Sequence, residues 1–384
     1  MNKRTRQFIA TGLVMMLFGI TMVVVGTIND FLTSEYRVDK LFIGFCASML
    51  TSGILAGSFL FGSAAERFGY KRIMLLGVLM VIAGIAGIVQ LGHIAVIPYL
   101  FLLIGLGGGI INGVTNLVVA VLYPVNTGAW LSLLGVFYGV GAFGLPLLTS
   151  VLLGQGWGYR SILSWIGVSL FIPFVSVLLL RFPEAKKSGG MAVKEYFKFF
   201  THPAIIFIGL FLFFQSAVEA IVPTWTPTYL KETFGVGYSH ALYAITVSCI
   251  SIAVARLFLS QILKKVSSFR VVLASLLIVI AGIAILELSG SFWIGLTGVG
   301  LIGLGLAASF PVMLDYTAGK YPDHTGTVFS IVIGIALTGN ILLNLLTGYI
   351  LQSFGVNKLN SLLILFVLIM IALLYAVNYR IIKK

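Results

Sequence analysis

Tyr123-Pro124-Val125-Asn126-Thr127-Gly128 returns as Tyr321-Pro322-Asp323-His324-Thr325-Gly326, 198 residues later in a chain of 384. The flanking sequence repeats in the same register. Val81-Ile-Ala-Gly-Ile-Ala86 recurs at 279–284, Ile104-Gly-Leu-Gly107 at 302–305, and Ser132 at Ser330. Several matches sharing one offset are hard to derive from a Leu-, Ile- and Gly-rich composition. They mark two homologous halves arranged as parallel repeats.

Around these markers each half contains six apolar runs of about 20 residues, the length that crosses the hydrocarbon core of a bilayer as a helix. The runs lie near 8–30, 41–64, 72–92, 95–122, 128–153 and 160–181, then near 203–229, 238–263, 270–288, 292–318, 326–352 and 359–380. Composition agrees: 59% of residues are hydrophobic and 9% charged, and the mean hydropathy is +1.11. No soluble domain sustains such values. The chain reads as an all-α membrane protein of twelve transmembrane helices. Its expected domains are an N-terminal six-helix bundle at 1–182, a cytoplasmic linker at 183–202 and a C-terminal six-helix bundle at 203–384, the two bundles rocking about a central site.

A net charge of +13 raises nucleic acid as a partner, but the basic residues sit in loops. With both termini inside, Lys3, Arg4, Arg6, Arg67, Lys71, Arg72, Arg181, Lys186, Lys187, Lys194, Lys198, Arg256, Lys264, Lys265, Arg270, Lys320, Arg380, Lys383 and Lys384 collect on the cytoplasmic side. Only Arg37, Lys40, Arg160, Lys231 and Lys358 fall outside. This asymmetry is the positive-inside bias of an inner-membrane protein and removes the need for a nucleic-acid partner. Cys46 and Cys249 lie in apolar runs without metal-ligand or CxxC spacing, so neither a disulfide nor a metal is expected. The basic start runs into an apolar stretch too long for a signal-peptide core, so it is expected to stay as the first span. In the linker, Val193, Phe197 and Phe200 share one helical face and Lys194 and Lys198 another, which fits a short interfacial helix or a plain tether.

After the second run comes Gly62-Ser-Ala-Ala-Glu66-Arg67-Phe-Gly69-Tyr-Lys71-Arg72. Gly62 lets two helices approach, Gly69 permits a tight turn, and Glu66 offers a carboxylate to Arg67, Lys71 or nearby helix N-termini. Such a cluster can latch helix ends together, or simply anchor a loop. The stretch resembles the G-x-x-x-[DE]-R-x-G-x-[KR]-[KR] signature of the major facilitator superfamily at every constrained position. The corresponding stretch of the second half, 260–270, keeps Lys264, Lys265 and Arg270 but neither the acid nor the glycine. The resemblance implies the major facilitator fold and a transporter that works without a cofactor.

A charge held at mid-membrane costs about 2.5–3.5 kcal/mol, so an acid there is a functional candidate. Glu219 stands near the middle of the seventh run, with Gln215 one turn before it on the same face, both expected to open on one cavity. Asp30, after Asn29 at the outer end of the first run, is either a coupling acid or an interfacial carboxylate. Arg256 in the eighth run either snorkels or pairs with Asp315 of the tenth as an inner gate. Runs three to five carry no acid, but the fourth holds Asn112 and Asn116 at i, i+4, matched by Asn340 and Asn344 in the eleventh. These amides are interhelical glue or the lining of a wet polar cavity. Trp225 and Tyr138 are candidates to stack on a sugar ring, or are interface anchors.

Within the superfamily the chain is most similar to the fucose, glucose and galactose proton-symporter group. The similarity rests on Asn29-Asp30-Phe-Leu, on Gly107 to Asn116, on Tyr138-Gly-Val-Gly141-Ala-Phe-Gly-Leu-Pro146, on Ala255-Arg256 and on Ser309-Phe310-Pro311. It implies that Asp30 serves coupling or sugar binding. Asn112 departs from the pattern, standing where fucose-type members have Glu, so that either a coupling acid is missing or its work is moved to Glu219, which resembles a seventh-helix acid of glucose-type members. The expected function is proton-coupled uptake of a sugar or other small polar solute by a monomer in the bilayer, with Na+ as the alternative ion. The competing reading is an exporter of drugs or amphipathic lipids, which the 29 Phe residues suit. An enzyme would need convergent catalytic groups at depth, whereas His93, His202, His240 and His324 lie in or beside loops.

Overall fold

The structure, a computed structural model, describes residues 2–91, 93–124, 127–183, 202–321 and 325–379, apart from the side chains of 61–63, 66, 128–129, 260 and 325–327. The linker helix expected near 193–200 lies outside the described residues. Every regular element among those described is helical. In chain order these are α1 (Lys3–Tyr36), α2 (Lys40–Phe68), α3 (Tyr70–Gln90), α4 (Ile97–Leu122), α5 (Thr127–Gly154) and α6 (Tyr159–Leu179). They continue as α7 (Pro203–Phe234), α8 (Tyr238–Leu263), α9 (Ser268–Leu288), α10 (Phe292–Lys320), α11 (Thr325–Phe354) and α12 (Lys358–Val377). Among the described residues, twelve helices are long and apolar enough to cross a membrane.

Two helices outrun their apolar cores. α1 covers 3–36 rather than 8–30; its N-terminal extension, Lys3 to Gln7, is rich in Lys, Arg and Gln, which are good helix formers. It stops at Arg37, which takes the left-handed conformation (φ 53°). α7 runs to Phe234 rather than 229 and stops at Gly235 (φ 65°), the left-handed position that ends many helices. α2 starts where the Asp39 carboxylate accepts a hydrogen bond from the Phe42 N–H (2.8 Å), a side-chain cap for an otherwise unpaired amide. Gly69 (φ 83°) makes the turn from α2 to α3. α10 lapses across Ala307 and Ala308, because Pro311 cannot donate to the carbonyl four residues back and its ring crowds that turn.

The chain divides into two compact units, residues 1–38 with 45–189, and 39–44 with 190–384. Lipid gives helices no hydrophobic reason to associate, so close backbone approach at small residues takes over. In the first unit Gly53 and Gly57 of α2 meet Gly105 and Gly109 of α4. A Cβ at Gly105 would stand 2.0 Å from the Leu50 carbonyl oxygen, and one at Gly53 2.2 Å from that of Leu102. The second unit repeats the contact 198 residues on, where a Cβ at Gly303 would stand 2.6 Å from the Ser248 oxygen. Gly107 against Gly77 (2.5 Å) likewise recurs as Gly305 against Ser275 (2.4 Å). The repeat read in the sequence is thus a repeat of helix crossings.

The first unit is also clasped at both ends of α1. Arg160, opening α6, pairs with Glu35 at 2.6 Å. At the far end the Gln7 amide donates to the Arg181 carbonyl at 2.5 Å. In the second unit Lys40 pairs with Glu232 at 2.9 Å. The two repeated Tyr-Pro motifs serve different contacts. Tyr123 stacks on Trp130 with ring centroids 3.8 Å apart. The Tyr321 hydroxyl is hydrogen-bonded to His202 Nδ1 (2.6 Å), which also lies 3.4 Å from the Ala204 N–H. Burial pushes the Tyr321 phenol upward from its ordinary value.

Gly105→Ala forces α2 and α4 apart and should cost about 1–3 kcal/mol, the usual range for overpacking. Gly135→Ala, where an added Cβ meets nothing within 4 Å, should be neutral or slightly stabilising. Thermal unfolding of the two purified variants in detergent checks the difference; equal melting temperatures would remove the crossing from the account.

Candidate functional site

In the second unit the charged residues converge on α7. Glu219 lies halfway along the helix, one turn before Pro223. Proline has no N–H, so the helix supplies no backbone donor to the Glu219 carbonyl, and the carboxylate of the same residue stands beside that local irregularity. Gln215 is fully buried. Its Nε2 donates to the Leu306 carbonyl at 3.2 Å, where the hydrogen bonding of α10 lapses, and to Glu219 Oε2 at 3.4 Å. From α8, Arg256 Nη2 reaches Glu219 Oε1 at 3.4 Å.

The chemistry of this cluster follows from its exposure. The Glu219 and Arg256 side chains are 27% and 40% exposed, which limits the pair to about 0.2–1 kcal/mol, as for other partly solvated ion pairs. Leaving either charge alone at that depth costs more than the pair is worth. The carboxylate is held by two long contacts, from a guanidinium and from an amide. Buried polar atoms with no hydrogen-bond partner lie on the same helices, Gln215 Oε1, Trp225 Nε1, Thr226 Oγ1, Thr246 Oγ1 and Ser309 Oγ, and on α11, Asn344 Oδ1.

Three expectations change here. Gln215 does not open on a cavity with Glu219, because it is fully buried and the Leu306 carbonyl takes its amide into the interior. Arg256 neither snorkels nor pairs with Asp315; it turns to Glu219, while Asp315 is exposed on the second part of α10. Trp225 presents no ring face for stacking, since it is fully buried on a stripe of α7 with Val222, Thr226 and Tyr229. Asn340 and Asn344 are both buried, and Asn344 Nδ2 donates to Asn340 Oδ1 at 2.7 Å.

In the first unit Asn116 Nδ2 donates to the Asn112 carbonyl at 2.7 Å and reaches Asn112 Oδ1 at 3.2 Å. Both are half-buried on α4. Asn29 is buried near the end of α1 and accepts from Thr33 Oγ1 through its backbone carbonyl (2.9 Å) and its side chain (3.3 Å). Asp30 is half-buried and within electrostatic reach of Tyr159, whose buried hydroxyl has no hydrogen-bond partner. Tyr138 is half-buried and tilted against Phe18. Of the latch residues, the side chains of Gly62 and Glu66 lie outside the described residues. Arg67 lies over the Phe68 ring (5.3 Å), Arg72 is exposed, and Lys71 Nζ donates to the Leu178 carbonyl at 2.7 Å, a cation on the last turn of α6.

The Glu219–Arg256 contact and the Leu306 carbonyl are not explicit in sequence spacing. Pro223 is the signal for the first, because it names Glu219, four residues back, as the carbonyl that loses its donor; Pro311 names Ala307, one residue past Leu306, and so marks only the neighbourhood of the second.

A model of the Major Facilitator Superfamily matches residues 8–333. The chain belongs to the Major Facilitator Superfamily. It is a multi-pass membrane transporter of that superfamily. It is 23% identical over 356 residues to the uncharacterized MFS-type transporter YfkL of Bacillus subtilis (strain 168), covering 88% of this chain and 87% of the relative. It is 22% identical over 356 residues to the inner membrane transport protein YdiN of Escherichia coli (strain K12), covering 87% and 80%. In fold it is similar to the nucleoside transporter NupG in a mutant form (TM-score 0.84, 15% identity, 98% of this chain and 99% of that one) and to a D-xylose-proton symporter (0.79, 14%, 96% and 97%). These likenesses show the fold, and they do not single out the fucose, glucose and galactose group.

Gln215→Ala would strip the Leu306 carbonyl of its donor and remove one partner of Glu219. A loss of about 1–3 kcal/mol is expected, the cost of a buried unsatisfied acceptor. It should appear as a lower melting temperature than wild type, and an unchanged one would mean that the freed carbonyl finds another donor.

Proposed function

We propose that this Major Facilitator Superfamily member is a secondary active transporter working by alternating access of its two halves, 1–182 and 203–384. It takes up a sugar or other small polar ring-bearing solute together with a proton, in a bacterial inner membrane with both termini cytoplasmic. The observation that carries this reading is Glu219 at mid-span, shared between Arg256 and Gln215 beside two proline-disturbed helices. Interrupted transmembrane helices with freed carbonyls are the usual setting of solute and coupling-ion sites. The carboxylate has two states available to it. Ionised, it holds Arg256; protonated, it releases the guanidinium and turns donor.

Asp30 is the second acid of this reading, and Asn29, Asn112, Asn116, Asn340 and Asn344 supply the mixed donors and acceptors that a hydroxyl-rich solute needs. Gly62, Glu66, Arg67, Gly69, Lys71 and Arg72 act as the gating cluster. NupG is a nucleoside transporter and the other solved neighbour a D-xylose-proton symporter, and both names point to polar ring compounds, which supports the solute class.

Glu219→Gln keeps shape and hydrogen bonding but cannot titrate. In proteoliposomes, wild-type uptake should follow an imposed pH gradient, while the variant should fold normally and transport without pH dependence. An unchanged rate and pH profile would make the acid structural. The solute is found by thermal shift against sugars, nucleosides, polyols, drugs and lysolipids, since a ligand at a hundred times its Kd stabilises by about 2.7 kcal/mol. Stabilisation by drugs or lysolipids alone would favour export.

A further inference from the structure

A cavity of about 340 Å3 lies at one end of the first unit, lined by Lys3, Arg4 and Gln7 of α1, Val121 and Leu122 of α4, and Arg181, Phe182 and Pro183 just beyond α6. That volume is at the small end of ligand pockets, which run from about 300 to 1,000 Å3. Three of its lining residues are cations and none is a carboxylate. The charge is placed by construction. Lys3 opens α1, whose first-turn amides receive no side-chain cap, so the positive end of the helix points the same way. The buried Gln7 holds the Arg181 carbonyl at 2.5 Å and so pins the 181–183 segment, with its guanidinium, beside the first turns of α1.

We propose that this cavity binds a phosphate-bearing anion. Three membrane-crossing helices end at its walls, which puts it at the depth of lipid headgroups. Its lining is amphiphilic: Lys3, Arg4 and Arg181 supply the charges, and Val121, Leu122, Phe182 and Pro183 the apolar walls. An excess of basic residues on one side of the membrane accounts for loop cations but not for a pocket that gathers them around a buried amide. The site belongs to the first unit alone and uses none of the residues assigned to solute or proton. It does not depend on the transport reading.

The shared chemistry is a phosphate oxygen anion, carried either by a lipid such as phosphatidylglycerol or by a soluble phosphate. Native mass spectrometry of the full-length protein with phosphatidylglycerol and phosphatidylcholine, and thermal shift with inorganic phosphate, separate the two sources. Wild type should retain phosphatidylglycerol over phosphatidylcholine, and Arg4→Gln with Arg181→Gln should lower that retention by roughly fivefold per charge removed, leaving phosphatidylcholine unchanged. Stabilisation by inorganic phosphate in wild type but not in the double variant, without a lipid preference, would keep the site and assign it to a soluble anion. If the double variant does not purify folded, Lys3→Gln, on an exposed side chain, carries the same comparison. A folded variant that retains the anionic lipid and responds to phosphate as wild type does overturns the proposal.

Discussion

A helix in hydrocarbon gains little by hiding leucine from lipid, because lipid is as apolar as leucine. What holds each six-helix unit together is the distance to which two backbones can close. At Gly105 against Leu50, and at Gly303 against Ser248, the approach leaves no room for a Cβ. These crossings set where each helix lies, and so which side chains are enclosed and which are not. The constraint also explains why the sequence repeat survives best in runs such as Ile104-Gly-Leu-Gly107. A glycine at a backbone crossing has no substitute, whereas the apolar residues around it exchange freely.

The other recurring element is the helix that loses hydrogen bonds where two helices meet. Pro223 withdraws a donor from the turn that holds Glu219, and Pro311 lies just after the lapse of α10 at Ala307 and Ala308. In a membrane no water is at hand to satisfy the freed carbonyls, so side chains must. Gln215 donates to the Leu306 carbonyl at the end of the first part of α10, and the same amide touches Glu219. An acid at mid-span is thereby coupled to the backbone of a neighbouring helix through one side chain. The contact with Arg256 is long and partly exposed, so it contributes little to holding the fold.

Membership of the Major Facilitator Superfamily explains the twelve helices and the two halves, yet it leaves chemistry to individual side chains. Solved relatives with nearly the same fold are a nucleoside transporter and a xylose symporter at 15% and 14% identity. The backbone crossings constrain sequence at few positions, which lets pocket residues diverge while the architecture stays.

Span number, the duplication and the superfamily signature were legible in sequence because each rests on a local property: a run of about 20 apolar residues, a shared 198-residue offset, and an eleven-residue pattern from Gly62 to Arg72. The placing of Glu219 at mid-helix was legible for the same reason, since position along a span can be counted. Which partner each polar group takes was decided only by tertiary structure. Arg256 belongs with Glu219 and not Asp315, Gln215 turns inward, and Trp225 is sealed within its unit. Those outcomes depend on the rotation of one helix against another, and that rotation is set by backbone crossings between residues far apart in the chain. A hydropathy pattern measures how apolar a turn is; it carries no record of which neighbour the turn will face.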